Sequence, residues 1–310
     1  MAEVATILRE ESNPFKRGGS RGSPPDALLL QTKKLLRRFG LHARKGLGQH
    51  FLVDQGALRT IIEAAELTSD DTVVEAGPGL GVLTEEMVGK ARRVVAIEID
   101  PRIASILTER FSYLTNIIIL NNDILQFVPG EFFAVQSPDF NYKFVANLPY
   151  YIASPTIRHF LETTFKPRRL VVMVQKEVAE SIVASPGRMS ILSIGVQIYG
   201  KPEIVDYVPA QSFYPVPKVD SAIVRIDVYC RPVAEVEGFF QVVRAGFSAP
   251  RKQLRNALAH GFSISPAAAA ALLNRSGISP QRRAETISLE EWAVLSFEYR
   301  ASRREEGNGF

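Results

Sequence analysis

The residues of this chain best suited to chemistry form the tetrapeptide Asn147, Leu148, Pro149 and Tyr150, which follows the apolar run 144–146. The lone pair of a planar exocyclic amine is delocalised into its ring, so such an amine is a poor nucleophile. An Asn side-chain carbonyl and a main-chain carbonyl on a stiff Leu-Pro turn could each accept one of its N–H groups and favour a tetrahedral nitrogen. Tyr150 offers a flat face for a heterocycle. A strand-ending turn with a core Tyr explains the same four residues equally well, so the hypothesis requires an electrophile elsewhere.

A glycine-rich loop upstream predicts where that electrophile binds. Residues 72–74 favour a strand, 82–90 favour a helix, and the loop between them is rich in glycine, which lets backbone approach a ligand. The loop differs from the dinucleotide fingerprint because its third glycine comes one position early. Pro78 lacks an N–H that could face a pyrophosphate, and Glu75 would repel an anion. The loop therefore favours a cationic ligand without phosphates and disfavours a nicotinamide oxidoreductase.

Two acidic residues at the ends of the next apolar runs define the ligand further. Glu98 follows Gly77 by 21 residues, which is the spacing of a carboxylate that binds ribose. Asp123 follows the third run. Each acid alone could be a solvated loop carboxylate, but the serial order of glycine loop, Glu98, Asp123 and Asn147 favours S-adenosylmethionine, a nucleoside that carries a sulfonium and an ammonium group.

Six separated motifs resemble those of the rRNA adenine N6-dimethyltransferases, the family of the bacterial small-subunit dimethyladenosine transferase and its eukaryotic relatives. The resemblance extends from about residue 45 to about residue 288. The motifs are 48–52, 75–81, 147–150, 175–178, 213–221 and 251–256.

The resemblance implies a role for individual positions. The implied S-adenosylmethionine contacts are Gln49, His50, Leu52, Gly77, Gly79, Glu98, Ile99, Asp123, Ile124 and Asn147. The implied catalytic set is Asn147, Leu148, Pro149, Tyr150 and Phe213, with the flipped adenine held between the two aromatic rings. Without the resemblance, Phe213 precedes Pro-x-Pro and is expected in a loop, either exposed or plugging the core. His50 stands where many members have Asn, and imidazole titrates near neutral pH.

The resemblance also implies a reaction. N6 of each of two adjacent adenosines near the 3′ end of small-subunit (16S) rRNA would receive two methyl groups, with a role in ribosome biogenesis and the immature 30S subunit as partner. An in-line displacement of this kind needs positioning rather than a general base. Two alternatives remain, a large-subunit enzyme acting on a single adenosine and a non-catalytic assembly factor. The small-subunit enzyme is favoured over the large-subunit one by the region of Lys176, the loop 213–217 and the helical tail. The non-catalytic alternative is disfavoured because Glu98, Asp123 and Asn147 are intact.

The net charge of +4 is unevenly distributed. Residues 51–160 carry a net charge of −6, as a cationic ligand would require, whereas residues 1–50 carry +6 and residues 251–310 carry +3, as a phosphate backbone would require. Two basic clusters are predicted to lie each along one helical face and to contact RNA, although a solvated surface of mixed charge is the alternative. They are Lys33, Lys34, Arg37, Arg38 and Arg251, Lys252, Arg255.

Composition excludes several classes of protein. The 310 residues are 46% hydrophobic, enough for a full core and about two domains. No apolar stretch approaches a membrane span, and the N-terminal region does not resemble a secretory signal. The single Cys230 rules out an internal disulfide, and four scattered His predict no metal site. We therefore expect a cytoplasmic monomer without metal.

The apolar runs predict an α/β fold of the Rossmann-like, S-adenosylmethionine-dependent methyltransferase type, in which helices cover both faces of a mostly parallel sheet. The predicted strands are 72–75, 94–99, 116–120, 144–146, 169–174, 191–199 and 219–228, with an antiparallel edge. The predicted helices include 28–41 and, in a small C-terminal domain, 235–247, 251–259, 266–274 and 289–298. The predicted organisation is a flexible extension (1–27), a catalytic domain (28–232) with a cofactor-covering segment (45–54), and a helical RNA-binding domain (233–310).

Overall fold

The computed structural model describes residues 27–44, 46, 48–133 and 140–307, with side chains to residue 303. The predicted N-terminal extension lies outside these residues except for Ala27, and so do Lys45 and Leu47 of the predicted cofactor-covering segment. The strands are β1 (Phe51–Leu52), β2 (Thr72–Ala76), β3 (Arg93–Glu98), β4 (Ile117–Asn121), β5 (Tyr142–Asn147), β6 (Arg169–Gln175), β7 (Gly200–Val208), β8 (Phe213–Tyr214) and β9 (Ser221–Val228). The α-helices are α1 (Ala27–Arg38), α2 (Gln55–Ala65), α3 (Val82–Val88), α4 (Pro101–Arg110), α5 (Pro129–Phe132), α6 (Ala153–Glu162), α7 (Lys176–Ile182), α8 (Ile191–Gln197), α9 (Phe239–Gly246), α10 (Leu254–Phe262), α11 (Pro266–Arg275) and α12 (Leu289–Gly307).

Seven strands form one mixed sheet in the order β4-β3-β2-β5-β6-β9-β7. The first five are parallel, whereas β9 runs antiparallel to both β6 and β7. Strands β2 and β3 are rich in Val and buried apart from Arg93 at the start of β3, as expected of a sheet covered by helices on both faces. The predicted fold class and the antiparallel edge are confirmed. The carboxyl ends of β2, β3, β4 and β5 lie side by side, which is where ligands bind in open α/β sheets.

The predicted strand 191–199 is wrong, because residues 191–197 form helix α8 and the edge strand is β7. Ser190 caps this helix: its side chain accepts the Ser193 amide, and the Ser193 hydroxyl accepts the Ser190 amide. This capping box satisfies amides that a strand would have paired, so it selects the helix despite the β-branched residues. An apolar run of this length does not distinguish a buried helix from a buried strand.

The region after residue 233 is helical within the part of the chain that the structure describes, as predicted. Trp292 of α12 is fully buried, and its ring stacks on that of Phe247, the residue after α9. The same hydrophobic cluster includes Phe239 of α9 and Val172 of the sheet, so the apolar interior is continuous between the sheet and the helices. The domain boundary near 232 remains a prediction.

Helix α1 packs beside the carboxyl end of the sheet through Leu28, Thr32 and Leu36, which are buried at intervals of four residues. It leads into β1, which pairs antiparallel with β8, with Leu52 opposite Phe213. This two-stranded sheet joins the segment before α2 to the loop after β7. It brings Leu52 and Phe213, which are 161 positions apart in sequence, into the wall of one cavity.

Candidate active site

A cavity of about 330 Å³ opens at the carboxyl ends of β2, β3 and β5. Every residue predicted to contact cofactor or target base lines it, and the two basic clusters do not. The predicted residues in the wall are Gln49, His50, Leu52, Gly77, Gly79, Glu98, Ile99, Asp123, Ile124, Asn147, Leu148, Pro149, Tyr150 and Phe213. The volume suits one small molecule, and most of the wall is apolar, as is usual for ligand sites.

The glycine loop between β2 and α3 forms one wall of the cavity. Gly77 (φ +63°) donates its amide to the Ile97 carbonyl at 2.9 Å, and Gly79 (φ +56°) donates its amide to Glu98 Oε2 at 3.3 Å. Both φ values are positive, so a residue with a side chain would be strained at either position. These two amides bind protein acceptors rather than facing the cavity together, which agrees with a loop that does not hold a pyrophosphate.

Glu98 is buried at the end of β3, and donors hold both of its carboxylate oxygens. Oε1 accepts the Asp100 amide at 2.9 Å and Oε2 accepts the Gly79 amide. Burial raises the pKa of Glu98, and hydrogen bonds from the Asp100, Gly79 and Ile99 amides oppose that effect without cancelling it. A carboxylate has about four lone-pair sites, so Glu98 can still accept a hydrogen bond from a ligand, such as that of a ribose hydroxyl.

Glu75 is the penultimate residue of β2, just before the glycine loop, and is only 1% exposed. Thr84 Oγ1 donates a hydrogen bond of 2.6 Å to its carboxylate. Burial, reinforced by the nearby Glu98, raises the pKa of Glu75 from 4.5 to about 8 despite this hydrogen bond. Among the described residues Glu75 forms no salt bridge. Sequence reasoning assigned Glu75 only a repulsive role, yet an acid inside a fully buried strand was the signal that it lines a binding site.

The far end of the cavity is shaped for a flat heterocycle. Asp123 follows β4 and accepts the Leu125 amide through Oδ1 at 3.0 Å, which leaves Oδ2 for a ligand. Ile124 is buried beside it, whereas Ile99 is 49% exposed at the rim. Two aliphatic side chains next to one carboxylate can hold a purine and accept its amino group.

The tetrapeptide at the end of β5 lies at the opposite end of the cavity. Asn147 Nδ2 donates to the His50 carbonyl at 3.3 Å, so Asn147 Oδ1 is left as an acceptor for a substrate. The Pro149 carbonyl already accepts the Ile152 amide at 3.1 Å, so the Leu148 carbonyl is the remaining main-chain acceptor of the turn. The strand-ending turn therefore carries the two acceptors that an amino group would need.

Tyr150 presents its ring to the cavity while its hydroxyl lies 2.9 Å from Ser221 Oγ. Burial raises the pKa of Tyr150. The His50 ring lies nearly parallel to it, with centroids 5.8 Å apart and planes inclined by 22°. Tyr151, which sequence analysis did not single out, also lines the cavity and is 55% exposed.

Of the two alternatives for Phe213, the structure bears out the ring that plugs the core, and it places the residue in a short strand rather than in a loop. Phe213 is 2% exposed, lies in the short strand β8, and packs in a cluster with Leu52, Val208 and Ile223. Pairing with β1 satisfies the backbone, and the apolar neighbours draw the ring inward. Its edge still reaches the cavity wall, so its role opposite Tyr150 stays a prediction.

The two basic clusters differ in their structure. Lys33, Lys34, Arg37 and Arg38 lie on α1, and Lys33 Nζ is 5.3 Å from the centre of the Tyr214 ring. The prediction of a helical face is wrong for Arg251, Lys252 and Arg255, because α10 begins only at Leu254. Arg251 and Lys252 are exposed in the preceding turn, whereas Arg255 is partly buried. Contact of either cluster with RNA stays a prediction.

Comparisons with known proteins identify the family. The family model of the ribosomal RNA adenine dimethylases matches residues 40–300. This chain belongs to the ribosomal RNA adenine dimethylase family. A dimethylase relative, ribosomal RNA small subunit methyltransferase A of Dehalococcoides mccartyi, is 49% identical over 282 residues, which cover 90% of this chain and 95% of that protein.

Two solved structures resemble this dimethylase. A dimethyladenosine transferase from Plasmodium falciparum has a TM-score of 0.71 at 27% identity, covering 82% of this chain and 98% of that one. The 23S rRNA methyltransferase ErmE has a TM-score of 0.64 at 31% identity, covering 80% and 98%. S-adenosylmethionine is the cofactor of this family.

The cavity fits that cofactor on the evidence of its own residues. Glu75 is a buried carboxylate with no cationic partner among the described side chains, and Glu98 can still accept a hydrogen bond from a ligand at a ribose spacing. A ligand that is cationic at one end and a nucleoside at the other satisfies both. In the described part of the chain, no group of three or more His, Cys, Asp or Glu side chains could hold a metal ion. No helix there is long and apolar enough to cross a membrane.

Proposed function

We propose that this dimethylase transfers methyl groups from S-adenosylmethionine to N6 of two adjacent adenosines in a loop near the 3′ end of small-subunit rRNA. The observation that carries the proposal is a single cavity with nucleoside-binding acids at one end and an amine-binding turn at the other. The 49% identity to small subunit methyltransferase A favours the small subunit over a 23S substrate. We further propose that it acts as a monomer in the cytoplasm on the immature 30S subunit.

Positioning explains how these residues accelerate the reaction. Bound S-adenosylmethionine supplies an electrophilic methyl group on a sulfonium sulfur. Asn147 Oδ1 and the Leu148 carbonyl accept the two N–H groups of the target, which localises the nitrogen lone pair for in-line attack. Alignment of this kind can lower a barrier by about 7 to 11 kcal/mol. No residue of the site needs to act as an acid, because a thioether leaving group would be neutral, and the proton of the target nitrogen would pass to solvent.

The target base must leave its stack before Tyr150 can hold it. Unstacking costs least in a loop or single strand, and stacking on an aromatic ring returns roughly 1 to 3 kcal/mol per base. The exposed Tyr151 lies at the mouth of the same cavity, where a flanking nucleotide would pass.

Mass spectrometry of rRNA from a strain that lacks this gene tests the proposal. The small-subunit dimethyladenosines should disappear and should return when the wild-type gene is restored. Unchanged small-subunit rRNA would refute the proposal. Loss of a large-subunit modification instead would support the large-subunit alternative. A defect in subunit assembly with full methylation would support the non-catalytic assembly factor.

A further inference from the structure

His50 contacts three parts of the target-binding end through separate atoms. Its ring Nδ1 lies 2.7 Å from the Pro215 carbonyl, its main-chain carbonyl accepts the Asn147 side chain, and its ring lies beside that of Tyr150. Pro215 follows the strand that carries Phe213. His50 is therefore the residue through which the segment before α2, the amine-binding turn and the loop 213–217 meet.

The contact with Pro215 fixes which ring nitrogen carries a proton. A carbonyl oxygen can only accept, so Nδ1 must be the donor. The hydrogen bond spans 165 positions of sequence and ties the loop after β8 to the cavity wall. None of the cofactor-facing carboxylates described above bonds to the His50 side chain.

We propose that His50 is a positioning residue for the target base, not only a neighbour of the cofactor. Its Nδ1–H holds the loop 213–217 through the Pro215 carbonyl at the target-binding end of the cavity, and its main-chain carbonyl orients the Asn147 amide so that Oδ1 faces the target amine. Loss of the donor lets this loop move away from Tyr150. The cost falls mainly on RNA binding, with a much smaller effect on cofactor binding. The inference rests on the proposed function.

Three substitutions of His50 distinguish the effect of its hydrogen-bond donor from the effect of its ring. His50→Asn places an amide nitrogen at the branch position of Nδ1 and keeps a donor, His50→Phe keeps a ring without a donor, and His50→Ala removes both. His42→Ala is the matched control, because His42 is an exposed histidine of the same segment. The readouts are the Kd for S-adenosylhomocysteine, the Kd for small-subunit RNA with that ligand bound, and the KM and kcat for RNA.

His50→Ala and His50→Phe should each raise the Kd and KM for RNA about tenfold, the effect of one lost hydrogen bond, while the Kd for S-adenosylhomocysteine changes by less than about twofold. His50→Asn should stay within about threefold of wild type, and His42→Ala should match wild type. If His50 had a purely structural role, its loss would lower the melting temperature and weaken the binding of S-adenosylhomocysteine and of RNA together.

Other patterns would overturn the inference. They are weaker binding of S-adenosylhomocysteine with unchanged RNA binding, a His50→Phe variant that matches wild type, or a His50→Asn variant as impaired as His50→Ala. Since the binding measurements need no turnover, they distinguish this failure from failure of the proposed function, in which the wild-type enzyme would leave small-subunit RNA unmethylated.

Discussion

Two carboxylates at opposite ends of β2 are both shielded from solvent and have opposite pKa shifts, and Glu75 is the more deeply buried of the two. Asp71 at the amino end accepts hydrogen bonds from the Thr68 amide and from Lys143 Nζ, the latter at 3.0 Å, and it pairs with Arg168. Burial acts to raise its pKa, but these partners outweigh it, and the pKa lies below its ordinary value. Glu75 at the carboxyl end has only the Thr84 hydroxyl, and its pKa rises to about 8.

The different partners of Asp71 and Glu75 give the two carboxylates different roles, one in stabilising the fold and one in binding a ligand. At the amino end, Lys143 and Arg168 compensate the buried charge of Asp71, and these ion pairs stabilise the sheet there. At the carboxyl end the described residues supply no cation for Glu75. The free-energy cost of burying its carboxylate therefore remains, and a cationic ligand can remove it. A buried carboxylate without a partner is thus a better indicator of the ligand site than burial alone.

The largest expected effect at the carboxyl end comes from Asn147→Ala. It removes the acceptor that localises the amine lone pair, and misalignment alone can lower kcat by about 100-fold or more. Methyl transfer to small-subunit RNA, followed with a radiolabelled methyl group, measures this loss. The Kd for S-adenosylhomocysteine should change little. Turnover at the wild-type rate would refute the assigned role of this side chain.

Asp71→Asn should have the largest effect at the amino end. It leaves Lys143 buried without its counter-ion and should lower the free energy of unfolding by about 3 kcal/mol. Urea denaturation measures this change, and Asp70→Asn is the control because Asp70 is exposed next to it. The folded variant should still bind S-adenosylhomocysteine. An unchanged free energy of unfolding would refute the stabilising role assigned to Asp71.

Basic residues extend the comparison to RNA. Arg251→Glu combined with Lys252→Glu should weaken RNA binding and reduce the slope of log K against log salt by roughly 2, about one per lost phosphate contact. Both side chains are exposed, so the fold should tolerate the change. Arg92→Glu with Arg231→Glu is the control of equal charge, made from exposed arginines near the amino end of the sheet. Equal slopes for the two variants would mean that only net charge matters.

The smallest effect concerns the proton on Glu75. At pH 7 a group with a pKa of about 8 is mostly protonated, so binding of cationic S-adenosylmethionine should release most of one proton. Calorimetry in buffers of different ionisation enthalpy measures this release. Glu75→Gln should abolish it, whereas Glu86→Gln, an exposed neighbour, should not. A release unaffected by Glu75→Gln would assign the proton to another group.

The same shift predicts how the unliganded protein responds to pH. The folded-state pKa of Glu75 lies above the ordinary 4.5, so the folded state binds the proton more tightly than the unfolded state. The contribution of this group to stability is full below pH 4.5 and is lost as pH rises to about 8. Urea denaturation across this range should show a decline that Glu75→Gln reduces.

Local chemistry in the sequence was enough to predict the parallel sheet, the C-terminal helices and the strand-end residues of the cavity wall, whereas Gln49, His50 and Leu52 were implied only by the family resemblance. Buried Val-rich runs have few alternatives to strands between helices, and strand ends of a parallel sheet meet at one edge. Gly77, Glu98, Asp123 and Asn147 therefore converge whatever the details of packing. The same logic could not separate helix from strand at 191–197, where a capping box decided.

Tertiary structure alone decided the environment of each group. The burial of Phe213 depends on pairing between β1 and β8, and the contact of His50 with Pro215 joins residues 165 positions apart. Asp71 precedes β2 and Glu75 lies near its carboxyl end, and only their three-dimensional neighbours make one a structural anchor and the other a ligand-binding group. The sequence states which residues are acidic. The free energy of ionising them depends on desolvation and on paired groups, which only the tertiary structure places around them.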